Sequence, residues 1–260
     1  MSLYFAISAA VCYLIAAAGI WRNVQTRRSL ALAPVALLLH AASLLLEIMH
    51  GGNLTVGITE ALSLFAWQAA MLLWLFCLFQ PLEALAVAVF PIAAMSALSA
   101  SFWPSSVTAL PLQEWKIQLH VVLSLFSAGF LTLAAVQAVT LALQDRVLHG
   151  HSRPHADTTL PPLQTMESVL FQLIALGFFM LSLTLVTGLL FVDNLMAQHL
   201  AQKTALSVLA WAVFGVLLWG RWSLGWRGRS AIRWTLSGYG ILILAYFGSK
   251  LVLEQLLLRH

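Results

Sequence analysis

Three segments of this chain carry polar residues at helical spacing inside otherwise apolar sequence. In the first, His40, Ser43 and Glu47 occupy positions i, i+3 and i+7, which places them on one stripe of a helix. Similar spacing recurs twice more, as Glu60, Ser63, Trp67 and as His120, Ser124, Ser127. We assign a candidate polar pocket to these stripes, made of His40, Ser43, Glu47, Glu60, His120 and Ser124.

The histidines in these stripes have two open interpretations. A neutral imidazole can ligate haem iron or copper while a neighbour orients its second ring nitrogen. Histidine and serine also hydrogen-bond between packed membrane helices, where each pair contributes around 1 kcal/mol or less. We interpret the serines as packing residues and keep both interpretations for His40 and His120.

Other ionisable residues are predicted near the same side of the membrane. His50 lies just beyond the His40 stripe, and His199 lies in the segment that precedes the seventh apolar run. Glu47 and Glu60 either carry protons or pair with Lys250, since a charge inside a membrane span needs a partner or a function.

The composition predicts the type of secondary structure that positions these residues. Of the 260 residues, 61% are hydrophobic and 8% are charged, against roughly 25% charged in a soluble domain. Apolar runs of this length cross a bilayer as helices, because open strands leave their backbone polar groups unsatisfied in lipid. The sequence predicts an all-α bundle of eight spans, at about 3–21, 29–49, 55–79, 81–101, 118–142, 168–192, 204–220 and 234–257.

The basic residues predict the orientation of the chain. Nine of the 13 lysines and arginines fall in the loops after spans one, five and seven. Cytoplasmic loops carry the excess of basic residues, so both termini are expected to be periplasmic. We interpret the basic surplus as a sign of topology rather than of a nucleic-acid partner, because the sequence predicts no soluble basic domain that could bind one.

Two hydrophilic stretches lie on the predicted cytoplasmic side. Residues 144–167 contain three histidines and three prolines and are predicted to form a flexible loop with little prospect of metal binding. The stretch from Trp219 to Arg229 alternates tryptophan, glycine and arginine, and it could bind lipid headgroups or haem propionates. Trp226 and Arg227 are its candidate cofactor-binding residues.

From about residue 118 onward, the chain resembles the cytochrome c assembly family of the CcsA/CcmC type, and especially its HemX/YpjD-like inner-membrane branch. Leu119-His120-Val121 is similar to the helix whose histidine is a periplasmic-side haem ligand in that family. Ala210-Trp211, Gly225-Trp226-Arg227-Gly228-Arg229 and Ala245-Tyr246-Phe247-Gly248 resemble its closing helices in order and spacing. The resemblance implies haem as the cofactor and His120 as an iron ligand, with His40 as the second candidate for the metal.

The chain also departs from the family pattern. Where the family carries a tryptophan-rich segment that presents haem, residues 193–203 contain no tryptophan. Trp219 stands where full-length members have a histidine, and Leu257 stands where another ligand falls. His199 and His260 are the candidate substitutes for the missing ligands, and their spacing does not distinguish between them.

We therefore predict one integral membrane domain over residues 1–260, multi-pass in a bacterial inner membrane. Its expected function is haem binding or handling related to cytochrome c maturation, without synthetase activity of its own. The expected partners are haem, the lipid bilayer and other cytochrome or haem-maturation proteins. Two alternatives stay open: a small-molecule or ion carrier using His40, Glu47 and Glu60, and a non-catalytic membrane scaffold or regulator.

Overall fold

The computed structural model describes residues 1–22, 26–50, 53–54, 58–103, 115–149, 162–191 and 198–245. Within these ranges the chain is helical, as predicted, apart from one antiparallel pair of two-residue strands. The elements are α1 (Ser2–Trp21), α2 (Thr26–Ala31), α3 (Ala33–Ile48), β1 (Met49–His50), β2 (Asn53–Leu54), α4 (Ile58–Cys77), α5 (Glu83–Phe102), α6 (Trp115–His149), α7 (Leu163–Phe191), α8 (Gln198–Leu224) and α9 (Arg229–Ile243).

The helices group into two compact units. Unit one contains α1 to α5, and unit two contains α6 to α9. The single membrane domain over residues 1–260 stays a prediction.

Unit one is built around α1, which packs most extensively against α5 and α3. The α1–α5 contact is lined by buried alanines, because small residues let two membrane helices approach closely where no hydrophobic effect drives them together. Tyr13 lies fully buried in this alanine-rich region, with its ring 5.5 Å from that of Phe90. Unit one therefore has a tightly packed interior that contains one phenol.

Unit two is built around the α6–α7 pair, with α9 packed against α8 and α6. Gly177 lets α7 approach α6, since a Cβ at this position would lie 2.7 Å from Cδ2 of Leu131. Gly238 likewise brings α9 against the ring of Phe214. The helix ends of unit two, rather than its middle, carry the ionic contacts described below.

Seven helical stretches of the described chain are long and apolar enough to cross a bilayer, by length and composition. They correspond to the first seven predicted spans, and the second of them is interrupted at Leu32. The interruption has a local cause, because Pro34 lacks a backbone N–H and fits only near the start of a helix, here the start of α3. The eighth predicted span, 234–257, extends beyond the described residues, so eight spans and periplasmic termini stay predictions.

The predicted flexible loop at 144–167 is wrong at both ends. Helix α6 continues to His149, because the polar residues from Gln144 onward include no glycine or proline before Gly150. Helix α7 begins at Leu163, directly after Pro162, whose fixed φ favours a helix start. Residues 150–161 lie outside the described residues.

Candidate functional site

His120 lies in the second turn of α6 and is half-buried against α7. Its Nδ1 atom lies 3.1 Å from Oγ1 of Thr187. Gly188 allows this approach, since a Cβ there would lie 3.2 Å from Cε1 of the imidazole. The contact with Thr187 thus holds the ring on one side. The α7 backbone packs directly beside the ring at Gly188, which has no side chain.

The Thr187 hydroxyl indicates which ring nitrogen carries the proton. Its Oγ1 lies 2.9 Å from the carbonyl oxygen of Leu183 and 3.0 Å from that of Thr184. Because a carbonyl oxygen can only accept, we assign the one hydroxyl proton to this pair of acceptors, and the contact with Oγ1 to a proton on Nδ1 of His120. The lone pair then lies on Nε2, while the imidazole also makes a hydrogen-bond contact with the Thr184 backbone. This is the arrangement that a metal-ligating histidine requires.

The serines on the same helix make backbone contacts. Ser124 donates to the carbonyl oxygen of His120 at 2.7 Å, one turn back along α6. Ser127 donates across to the carbonyl oxygen of Gly177 on α7 at 3.2 Å. Both contacts fit the packing interpretation, and Ser124 does not bond to the imidazole ring.

His40 has a different environment, in the interior of unit one. Its side chain is fully buried, and Nε2 lies 2.9 Å from Oγ of Ser63 on α4. Its Nδ1 lies 3.5 Å from the hydroxyl of Tyr13 on α1, and the two rings meet edge to face. Both nitrogens are therefore engaged by protein groups, and His40 joins three helices.

The remaining members of the unit-one stripes also contact neighbouring groups. Ser43 donates to the carbonyl oxygen of His40 at 2.9 Å. Ser101 on α5 donates to a carboxylate oxygen of Glu47. Glu60 is buried and lies within hydrogen-bond distance of the Thr59 hydroxyl, at 3.2 Å. Lys250, the predicted partner of Glu47 and Glu60, lies outside the described residues.

For several other histidines named in the sequence analysis, the structure describes no side-chain contacts. His199 lies in the first turn of α8, and His50 in β1, but neither side chain is among those described. His260 and the histidines at 151 and 155 lie outside the described residues. Among the described residues, no group of three or more histidines, cysteines or carboxylates could hold a metal ion.

The turn between α8 and α9 positions the candidate residues Trp226 and Arg227. It reverses the chain through Gly225 and Gly228, whose φ angles of +66° and +55° suit glycine. The Trp226 indole stacks on that of Trp234, with 5.4 Å between ring centroids. It also covers Gly220 so closely that a Cβ there would lie 2.6 Å from the ring.

Glu167 at the start of α7 holds this turn, and the sequence analysis missed it. Its Oε2 accepts from Nε of Arg227 at 3.2 Å, while Oε1 accepts from the Gly228 backbone N–H at 2.6 Å. A lone carboxylate beside an apolar run could have signalled this, because buried carboxylates are almost always paired. Trp226 and Arg227 thus have structural partners, although the Arg227 side chain is still 54% exposed.

Comparison with known proteins identifies the family. The sequence profile described as "Cytochrome C assembly protein" matches residues 29–257. The inner membrane protein YpjD of Escherichia coli strain K12 is 41% identical over 138 residues, which are 53% of this chain and 52% of that protein. A 28.8 kDa protein of Azospirillum brasilense is 34% identical over 143 residues, which are 54% of this chain and 53% of that protein.

A third relative, the protein HemX of Brevibacillus brevis, is 26% identical over 131 residues, which are 50% of this chain and 48% of that protein. The matched region thus spans about half the length of each curated relative. No solved structure matches the chain. The profile match and the run of apolar helices establish that this chain is a multi-pass inner-membrane protein that belongs to the cytochrome c assembly protein family, in the branch of YpjD and HemX.

Proposed function

We propose that this protein binds and handles haem in the inner membrane, with Nε2 of His120 as an axial ligand of the iron. The observation that carries the proposal is the 3.1 Å contact between Nδ1 of His120 and Oγ1 of Thr187, which orients the ring and, with the proton assigned to Nδ1, leaves the lone pair on Nε2. Bound haem would supply an iron centre whose properties depend on its axial ligands. The chain's own residues supply the oriented imidazole and a dry helical surface around it.

His40 is the weaker candidate for the iron. Ligation there would break the Nε2 hydrogen bond to Ser63 and open the buried interior of unit one. A histidine that bonds between helices already satisfies its polar atoms, so nothing is gained by exchanging them for iron without a cavity. We therefore assign His40 the packing role and His120 the ligand role.

His199 is the proposed second ligand on the haem. The rings of Trp115 and Phe191, 5.9 Å apart, bring the start of α6 and the end of α7 to the same end of unit two. Helix α8 begins seven residues after Phe191, so the backbone of His199 starts near that end as well. Other cytochrome or haem-maturation proteins are the proposed partners of the loaded protein.

The proposal includes an orientation with the His120 end facing the periplasm. Reporter fusions after Arg27, Gly150 and Gly228 are expected to report the cytoplasm, because the arginine-rich loops lie there. Fusions near Ser105 and Gln198 are expected to report the periplasm. The opposite pattern would place His120 toward the cytoplasm and contradict a periplasmic role.

An absorbance spectrum of the purified protein tests the central proposal. The detergent-solubilised chain, expressed with excess haem precursor, is expected to show a Soret band that follows the protein peak on gel filtration. The apoprotein titrated with haem should reach the same spectrum at one haem per chain. A spectrum identical to that of free haem in detergent would reject haem binding and favour the carrier or scaffold alternatives.

A further inference from the structure

Four helix ends meet at one end of unit two. The end of α6 is joined to the start of α9 by Asp145 and Arg229, whose carboxylate oxygen and Nε lie 3.3 Å apart. The start of α7 is joined to the α8–α9 turn by Glu167 and Arg227. We call this end the arginine end and define it by the residues Asp145, Arg146, Glu167, Trp219, Arg221, Trp222, Leu224, Arg227, Arg229 and Arg233.

The arginine end has an excess of positive charge. Among the side chains that the structure describes there, five are arginines and two are carboxylates. Arg221 lies over the ring of Phe171 and donates to the Trp226 carbonyl oxygen, so its guanidinium serves the turn. Arg146, Arg229 and Arg233 are exposed. Two carboxylates do not neutralise this surface.

The placement of Arg229 and Arg233 does not stabilise α9. They stand at positions i and i+4, where like charges repel, and Arg229 lies in the first turn, where the helix dipole disfavours cations. The ion pair of Arg229 is solvent-exposed, and exposed pairs contribute little to stability. An external anion between the two guanidinium groups would relieve both unfavourable terms.

The same end also presents large apolar side chains. Trp222 is 87% exposed and Leu224 is 62% exposed. Both lie at the end of the apolar stretch Gln202–Leu224, where the hydrocarbon core gives way to the headgroup region whichever way the chain is oriented. Tryptophan favours this depth because its ring is amphipathic. The arginines that follow are therefore held at the level of lipid phosphates.

From this juxtaposition we propose that the arginine end is a binding site for an anionic phospholipid, independent of the haem site. The guanidinium groups of Arg229 and Arg233 bind the headgroup phosphate, because arginine matches phosphate with two parallel hydrogen bonds. Trp222 and Leu224 contact the acyl chains and the glycerol region of the same lipid. Glu167 keeps the intervening turn in the conformation that exposes these groups.

Native mass spectrometry of the protein released from nanodiscs tests the proposal. In nanodiscs of equal parts phosphatidylglycerol and phosphatidylcholine, the wild-type chain is expected to retain phosphatidylglycerol preferentially. The double variant Arg229→Gln/Arg233→Gln should lose this preference on the order of ten- to thirtyfold, since each of the two basic residues near an anionic surface contributes roughly a factor of five. Arg229→Lys/Arg233→Lys should lose less, because lysine keeps the charge and loses only the paired hydrogen bonds.

A matched control removes the same charge from the opposite end of unit two. Lys116→Gln/Lys203→Gln is expected to retain the wild-type preference, and circular dichroism should show that all variants keep their helices. Equal retention of both lipids by the wild type, an unchanged preference in the arginine double variant, or an equal loss in the lysine control would each overturn the proposal. So would displacement of the lipid by inorganic phosphate or by haem at matched concentration, which would make a free anion or haem propionates the occupant.

Discussion

Replacement of His120 by alanine is expected to abolish the Soret band of the purified protein, or to convert it to the spectrum of free haem. The imidazole is the proposed iron ligand, and alanine offers no substitute. Because the ring is only half-buried and contacts only Thr187 and the Thr184 backbone through hydrogen bonds, folding should be little changed. Gel filtration and circular dichroism will separate loss of the ligand from loss of the fold.

Thr187→Val provides a sharper version of this test. Valine keeps the shape of the side chain and removes the acceptor for Nδ1–H, so the ring loses its fixed tautomer and orientation. Loss of such a supporting contact typically costs ten- to a hundredfold in metal affinity, and we expect haem affinity to fall by roughly that factor. Thr140→Val on α6 is a matched control, since its hydroxyl bonds only to the carbonyl oxygen of Val136.

His40→Ala should show the opposite pattern to His120→Ala. It removes a fully buried ring and leaves the hydroxyls of Ser63 and Tyr13 without their partner. We expect about 2–3 kcal/mol of destabilisation with the Soret band retained in the folded fraction. An unchanged spectrum in His120→Ala together with a lost spectrum in His40→Ala would exchange the two roles.

The spans were predictable from the sequence because lipid forces long apolar runs to become helices. The ends of these helices were not, since α6 continues past its apolar run as far as His149. Beyond the hydrocarbon core, water satisfies polar side chains equally well on a helix or in a loop, so hydropathy does not predict where a helix ends. A proline is a better marker: Pro162 directly precedes the first residue of α7.

Spacing alone also gave His40 and His120 the same chemistry, because both stand in a stripe of small and polar residues. The two histidines differ in their contacts with other helices. Ser63 and Tyr13 contact the His40 ring, whereas Thr187 and Gly188 lie beside the His120 ring. The sequence distance from His120 to Thr187 is too long for any local pattern to connect them. The same limit hid Glu167, which lies sixty residues before the turn that it holds.

The second large effect concerns covalent attachment of haem to a cytochrome. We expect that this protein, expressed in a cell that lacks its own cytochrome c synthetase, will not mature a reporter cytochrome c, whereas a full-length synthetase of the resembling family will. Attachment requires haem to be held at the outer surface with its vinyl groups exposed to the acceptor cysteines. The resemblance places the tryptophan-rich presenting segment at residues 193–203, and this stretch contains no tryptophan.

A further departure from the family lies at the other end of α8. By the resemblance, Trp219 stands where a histidine is expected in the family, and this residue is 61% exposed at the arginine end. Tryptophan cannot ligate iron, so this position contributes no axial nitrogen. Bound haem would then depend on His120, with His199 as its proposed second ligand.

The expected loss is large because positioning supplies much of the rate of such a reaction. Holding two reactants in the right geometry contributes roughly 7–11 kcal/mol to lowering a barrier, and a chain that binds haem without presenting it loses most of this contribution. Peroxidase staining of a denaturing gel should therefore show no covalent haem in the reporter, while the same cells keep the Soret band of this protein. Covalent haem in the reporter would contradict this expectation, and its loss in a His199→Ala variant would mean that His199 also holds haem for attachment.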